Sequence, residues 1–251
     1  MFNDLTTDNL EQAEDRVGGF TPFESDIHTG KIKAFYGGQS PSGAKFIALI
    51  VAMGSQEYRE TIYVTNKQGQ NFFHPKDKSG NRDTSKKVPL PGFTIANDIA
   101  LVTAGKELAQ LDFEDKVINV YDFDAKKELP KSVPMAMELI DEQVSLGILQ
   151  ILESKKTKQG DEYVATGEDR TVNSINKVFH TESQMTVVEA QEGAESAAFW
   201  DKWLTSNKGK VQDKRDKNPQ AGNVGRPPKP GAAPSSSGEA TSPAKSLFNK
   251  K

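Results

Sequence analysis

Aromatic rings and cations recur together through the first third of this 251-residue chain. Lys31, Lys33, Phe35, Arg59 and Tyr63 fall in strand-like runs, on faces that need not be the core face. Phe72 and Phe73 precede a polar stretch that carries Lys76, Lys78, Arg82, Lys86 and Lys87, against only Asp77 and Asp83. Lys155, Lys156 and Lys158 cluster again further on. Rings that stack on bases and cations that track phosphates are the means by which a protein holds a single nucleic-acid strand without reading its sequence. On this reading Phe35, Tyr63 and Phe72 stack, and Lys31, Lys33, Arg59, Lys78, Arg82, Lys86 and Lys87 contact phosphates. Each aromatic also has a plain reading as a strand packing residue. Strand register decides between the two.

Catalytic chemistry has no comparable signal, so we expect no enzyme, no catalytic residues, no cofactor and no metal. His28, His74 and His180 are far apart and lack ligand spacing, and no phosphate-cradling Gly-x-x-x-x-Gly-Lys or Gly-x-Ser-x-Gly elbow occurs. With no cysteine there is no disulfide, thiol nucleophile or thiolate site. The carboxylates at Asp112, Glu114 and Asp115, and at Glu138, Asp141 and Glu142, read as solvated acidic surface. The alternative that they converge on a two-metal nuclease centre stays open, because distant segments can meet in space. A second alternative is an interaction module that ignores DNA.

The net charge of −3 hides an asymmetry. Residues 207–251 hold ten basic and three acidic residues, a net of +7, so residues 1–206 carry −10. The basic end also holds six of the 13 prolines, and Phe248 is its one aromatic. Such a composition cannot offset its ordering entropy by apolar burial, so residues 207–251 read as a disordered tail. Residues 1–19 read as a flexible polar arm ending at Gly18-Gly19, too acidic for a leader sequence. The longest apolar run, Phe46–Met53, is far short of the ~18–20 residues that span a bilayer. We expect a soluble intracellular protein with no membrane contact.

The elements that must position these side chains are mainly strands. Ile27–Tyr36, Lys45–Met53 and Glu57–Thr65 form an expected meander, with Lys31, Lys33 and Phe35 sharing one face of the first strand. A helix follows Pro91, with Thr94 as its cap, Ile95, Ile99 and Val102 on one face, and Gly105 at its end. Further strands are expected at Val117–Tyr121, Val133–Ile140 and Val144–Leu152. A hairpin with its tip at Lys155–Gly160 and its return strand at Glu162–Ala165 comes next, while residues 172–180 are ambiguous. Thr186 and Glu189 make a capping box, and Ala197, Trp200, Trp203 and Leu204 give a last helix one apolar face. The order places an OB-type five-stranded barrel with an inserted helix and a C-terminal helix over residues 20–206, mainly β with minor α.

Several stretches together carry a family likeness. They are Gly18–Asp26 (GGFTPFESD), Glu57–Asn66 (EYRETIYVTN), Lys87–Gly92 (KVPLPG), Asn176–Thr181 (NKVFHT) and Phe199–Leu204 (FWDKWL). In these the chain resembles the single-stranded DNA-binding proteins of short-tailed lytic bacteriophages of the schitovirus type, from about residue 18 onward. The resemblance implies an OB-type barrel that coats single-stranded DNA in phage replication and recombination, beside phage replication proteins, in the cytoplasm of the infected bacterium. Many proteins of this function end in an acidic tail with a late aromatic. Here the end is basic, Lys245-Ser-Leu-Phe-Asn-Lys-Lys251, as it is in the schitovirus-type proteins. Their basic terminus is associated with recruiting host RNA polymerase to late promoters. By that resemblance Ser246, Lys250 and Lys251 are the contact positions, with Phe248 and Leu247 as an apolar anchor.

Overall fold

Ten strands account for about half of the residues described in a computed structural model, which covers residues 22–122, 125–160 and 162–216. The N-terminal arm and the tail segment 217–251, with Ser246, Phe248, Lys250 and Lys251, lie outside the described residues. The first three strands form the expected meander: β1 (Asp26–Gln39), β2 (Lys45–Met53) and β3 (Gln56–Tyr63). A two-stranded ribbon of β4 (Phe72–Phe73) and β5 (Val88–Pro89) follows, then helix α1 (Pro91–Ala104). β6 (Phe113–Asp122) and β7 (Lys127–Ala136) make one hairpin, and β8 (Gln143–Gln159) and β9 (Glu162–Phe179) a much longer one. Helices α2 (Val187–Gln191) and α3 (Ala198–Asn207) and the short β10 (Val211–Asp213) complete the described chain.

β1 organises the sheet. Its first half pairs with β8 through Asp26↔Ile148 to Lys31↔Gln143, and its second half pairs with β2. β7 joins β1 at Tyr36↔Met135. The order is β10-β8-β1-β2-β3, antiparallel except where β10 runs parallel to β8, with β9 on β8 and β6 on β7. No backbone pairing joins β3 to β9 among the described residues, so the sheet does not close. A side chain spans that gap. The half-buried Glu60 carboxylate on β3 accepts from the Ile175 amide at 3.0 Å and the Ser174 hydroxyl at 3.2 Å, both on β9.

One core fills the space between β1–β3, β8, β9 and α1, with Ile32, Phe35, Leu49, Val51, Ile99, Leu146, Ile148 and Val178 at its centre. α1 covers it because Ala96, Ile99, Ala100 and Val102 are buried together. The helix starts at Pro91, whose ring suits the first turn, and stops at Gly105 in the left-handed region. Thr94 is not its cap. The N-cap position is Leu90, and the Thr94 hydroxyl inside the first turn donates to the Leu90 carbonyl at 3.3 Å. The Thr186–Glu189 capping box forms as expected. α3 docks through Trp203, whose indole N–H donates to Asn176 at 2.7 Å and whose ring lies where a side chain at position 147 would be, so glycine stands there.

Several strand expectations change. β8 runs through the expected hairpin tip at Lys155–Gly160 as far as Gln159, and β10 falls within the stretch 207–251 read as the tail. β9 is one strand of 18 residues and takes in all but the last residue of the ambiguous stretch 172–180. The expected strand Val133–Ile140 ends at Ala136, and a 3-10 turn occupies Met137–Leu139. The faces of β1 also exchange halfway along. The register slips between Ile32 and Ala34, which leaves Lys33 as an extra residue. A bulge of this kind reverses the inward–outward alternation beyond it. Ile32 opposite Val51 and Phe35 opposite Leu49 therefore both point into the core.

Candidate nucleic-acid interface

The meander has an outer face as well as a core face, and the β6–β7 hairpin curls over part of it. Cross-strand rows on that outer face run Gly38–Phe46–Tyr63, Tyr36–Ala48–Thr61, Ala34–Ile50–Arg59 and Lys31–Ala52–Glu57. Beneath the hairpin, Val133 and Met135 pack on Ala34, joined by Ile50, Ile118 and Val120. This second apolar cluster anchors the hairpin. Beside it a groove of about 540 Å³ stays open, with Tyr36, Phe46, Arg59 and Thr61 on the meander side and Asn119, Tyr121, Lys131 and Pro134 on the hairpin side.

The groove presents rings and cations together. Tyr63 is 51% exposed and meets Phe46 edge to face, with centroids 5.9 Å apart. The Phe46 ring lies over Gly38: a side chain there would place its first carbon 2.3 Å from the ring. Burial raises the pKa of the Tyr36 phenol above its ordinary value, and the Arg59 charge pulls it back part of the way. Tyr36 is therefore a neutral ring with a cation beside it. Arg59 itself donates to Glu57 at 2.8 Å and stands 3.8 Å from Glu128 of the hairpin. These pairs are exposed, so a phosphate can displace the carboxylates at little cost.

The basic loop between β4 and β5 begins beside the same end of the groove. Leu90 bonds back to Asn71 at 2.8 Å, and Gly92 touches the Tyr63 carbonyl so closely that a side chain at 92 would come within 2.1 Å of it. Lys76, Lys78, Arg82, Lys86 and Lys87 are exposed along the loop, which Asp77 holds in shape by accepting from the amides of Ser79 and Asn81. Lys86 pairs with Asp83, and Lys87 lies 4.6 Å over the Phe72 ring. Phe72 is half-buried with that cation on its face, so it offers less open ring than Tyr63 does.

Of the stacking residues expected from the sequence, Phe35 is withdrawn: it is fully buried in the core, since the Lys33 bulge turns it inward. Tyr63 and Arg59 stand on the outer face at the groove. Lys31 is exposed on the same face, and Lys33 is exposed at the bulge with Asp141 at 3.3 Å. Lys155 and Lys156 on the β8–β9 hairpin are committed to Glu168 and Asp216. Tyr36, Phe46, Tyr121 and Lys131 were missed. The available signal was that β2 is apolar on both faces, as a strand covered on both sides must be.

Among the described residues, no group of three or more His, Asp or Glu side chains converges to hold a metal, and no helix is long and apolar enough to cross a membrane. The chain matches no family model, no curated protein and no solved structure.

Proposed function

We propose that the chain is a non-enzymatic, sequence-independent single-stranded DNA-binding protein, and that the groove beside the β6–β7 hairpin is where the strand lies. The observation that carries this reading is the open groove that joins Tyr36 and Phe46, with the exposed Tyr63 packed beside Phe46, to Arg59 and Lys131 on an otherwise acidic body. Exposed rings supply stacking that every base satisfies, and the cations and the basic loop follow the phosphates. We read the meander, α1 and the β8–β9 pair as an OB-type barrel, with Glu60 bridging its last seam and β6–β7 inserted before the fourth strand. With the resemblance noted above, the setting is phage DNA replication and recombination in the infected bacterium, and the tail residues Ser246, Phe248, Lys250 and Lys251 contact the host RNA polymerase to activate late transcription.

Fluorescence anisotropy on single- and double-stranded oligonucleotides across a salt series tests the binding reading. We expect a preference for the single strand, with a logarithmic salt slope of roughly −0.7 per phosphate contacted. Equal affinity for the duplex refutes it. Degradation of a labelled strand on adding magnesium or manganese refutes the non-enzymatic reading. The tail reading is tested by Phe248→Ala and Lys250→Ala in reconstituted late transcription, where activation should fall while DNA affinity holds.

A further inference from the structure

Among the described residues, no strand lies along the outer edge of the hairpin. β6 pairs only with β7, through ten consecutive residue pairs from Phe113↔Ala136 to Asp122↔Lys127, and no described strand takes its other side. Free edges of this length are templates for strand addition, which proteins usually cover or blunt. This one is also apolar. Phe113 is 38% exposed, Val117 72% and Tyr121 48%, and alternation puts all three on one face.

Charge says what kind of segment would fit. β6 carries Glu114, Asp115 and Asp122 against Lys116, a net of −2. A second copy of the strand would bring like charge to like charge. A basic strand with an apolar centre is the complement, and the chain has one in Lys245–Lys251 (KSLFNKK). Laid antiparallel with Phe248 opposite Val117, the segment sets Leu247 opposite Ile118, Ser246 opposite Asn119, Lys250 opposite Asp115 and Lys251 opposite Glu114. Side-chain alternation is kept throughout, since Phe248 and Lys250 share the face of Val117 and Asp115. A shift of two residues one way puts Phe248 opposite Asp115, and a shift the other way puts Lys251 opposite Lys116. One antiparallel register therefore satisfies both charge and hydrophobicity.

The connection is long enough. Three residues past the end of β10, the amide of Asp216 bonds to Ser154 on β8. Residues 217–244 follow, and at ~3.3 Å each when extended they reach across any domain of this size.

We propose that Lys245–Lys251 adds to the free edge of β6 within the same molecule, as an extra antiparallel strand held by Phe248 on Val117 and by Lys250 and Lys251 on Asp115 and Glu114. Docked there, the segment lies along the strand that supplies Asn119 and Tyr121 to the groove wall, with its two terminal lysines paired to Asp115 and Glu114, away from the groove lining. It also withholds the tail from any other protein partner until the edge releases it. The proposal is independent of DNA binding, and its test uses none.

The chain has no cysteine, so engineered pairs report cleanly. In the full-length protein, Asn119→Cys with Ser246→Cys places two thiols directly opposite. The control pair Ser79→Cys with Ser246→Cys has the same tail thiol but a partner in the basic loop. We expect an intramolecular disulfide in the first pair, forming at least ~10-fold faster than in the control. Lys250→Asp should slow it, and adding Asp115→Lys should restore it. Equal rates in the two pairs, disulfide-linked dimers in place of the internal bond, or a failure of the charge reversal to rescue would overturn the proposal. Crosslinking is read on protein with a native melting transition, and hydrogen exchange at residues 113–122 gives a second readout without cysteines. Protection there should fall on Phe248→Ala, and unchanged protection would likewise overturn it.

Discussion

Gly38→Ala separates the groove from the fold more sharply than any truncation. The added methyl carbon would sit 2.3 Å from Cζ of Phe46 and 2.6 Å from Cε2. The three nearest atoms all belong to the Phe46 ring, and the Gly38 backbone is not in the left-handed region, so alanine is conformationally allowed there. The ring must swing away from the Gly38–Phe46–Tyr63 row, and its edge-to-face contact with Tyr63 is lost. If one base stacks on this ring, the loss is about 1–3 kcal/mol, or roughly 5- to 150-fold in affinity for single-stranded DNA. Phe46→Ala should cost a similar amount. Because both act through one ring, the double variant should bind like Phe46→Ala alone. Anisotropy at fixed salt measures the cycle, and thermal denaturation checks that Gly38→Ala melts with the wild type. Wild-type binding by Gly38→Ala, or losses that add in the double variant, would refute the place given to Phe46.

Three further outcomes follow from the same geometry. Arg59→Ala and Lys131→Ala should each make the logarithmic salt slope shallower by roughly 0.7 if each cation neutralises one phosphate; an unchanged slope removes that residue from the site. Phe35→Ala should destabilise the fold by about 3–5 kcal/mol, seen in denaturant titration, and leave the affinity of the folded fraction near wild type. Burial pushes the Asp98 carboxyl up to about 6, against the pull of Lys177 at 3.7 Å. The native state then binds a proton more readily than the unfolded chain does, so Asp98 makes stability fall as pH rises from about 4 to about 6. Asp98→Asn should abolish that fall and stabilise the protein at pH 7 by about 3 kcal/mol; identical pH–stability curves would refute it.

Local signals found the meander, α1 and its Gly105 stop, the Thr186–Glu189 capping box and the Trp200–Trp203 helix, because each depends on a few neighbouring residues. The groove depends on two things that neighbours do not reveal. The first is the Lys33 bulge. Strict alternation puts Phe35 beside Lys31 and Lys33, and one extra residue sends it to the core and turns Tyr36 outward. The second is the β6–β7 hairpin. Its two strands read as separate elements, and its return onto β1 rests on a single backbone pair and on apolar contacts nearly 100 residues apart in sequence. The trace of that contact was present in β2. Phe46, Ala48, Ile50 and Ala52 on its outer face are as apolar as Ile47, Leu49, Val51 and Met53 on its inner face, which a solvent-facing strand would not be.

That double covering bears on how a body of net charge −10 could hold a polyanion. Single exposed ion pairs contribute little, so a wide basic surface is not the only means. Around the groove the carboxylates beside Arg59 are already engaged: Glu57 and Glu128 face Arg59, and Glu60 is turned inward to Ser174 and Ile175. Glu60 is held there by the Tyr58 hydroxyl as well, and burial raises its pKa. An acid aimed at the seam does not oppose phosphate in the groove as an acid aimed outward would. Glu60→Ala should therefore weaken binding through loss of the seam, and Glu60→Gln, which keeps the acceptor for the Ile175 amide, should retain both stability and affinity better. A Glu60→Gln protein that binds more tightly than wild type with its melting transition unchanged would show instead that the carboxylate repels the strand directly.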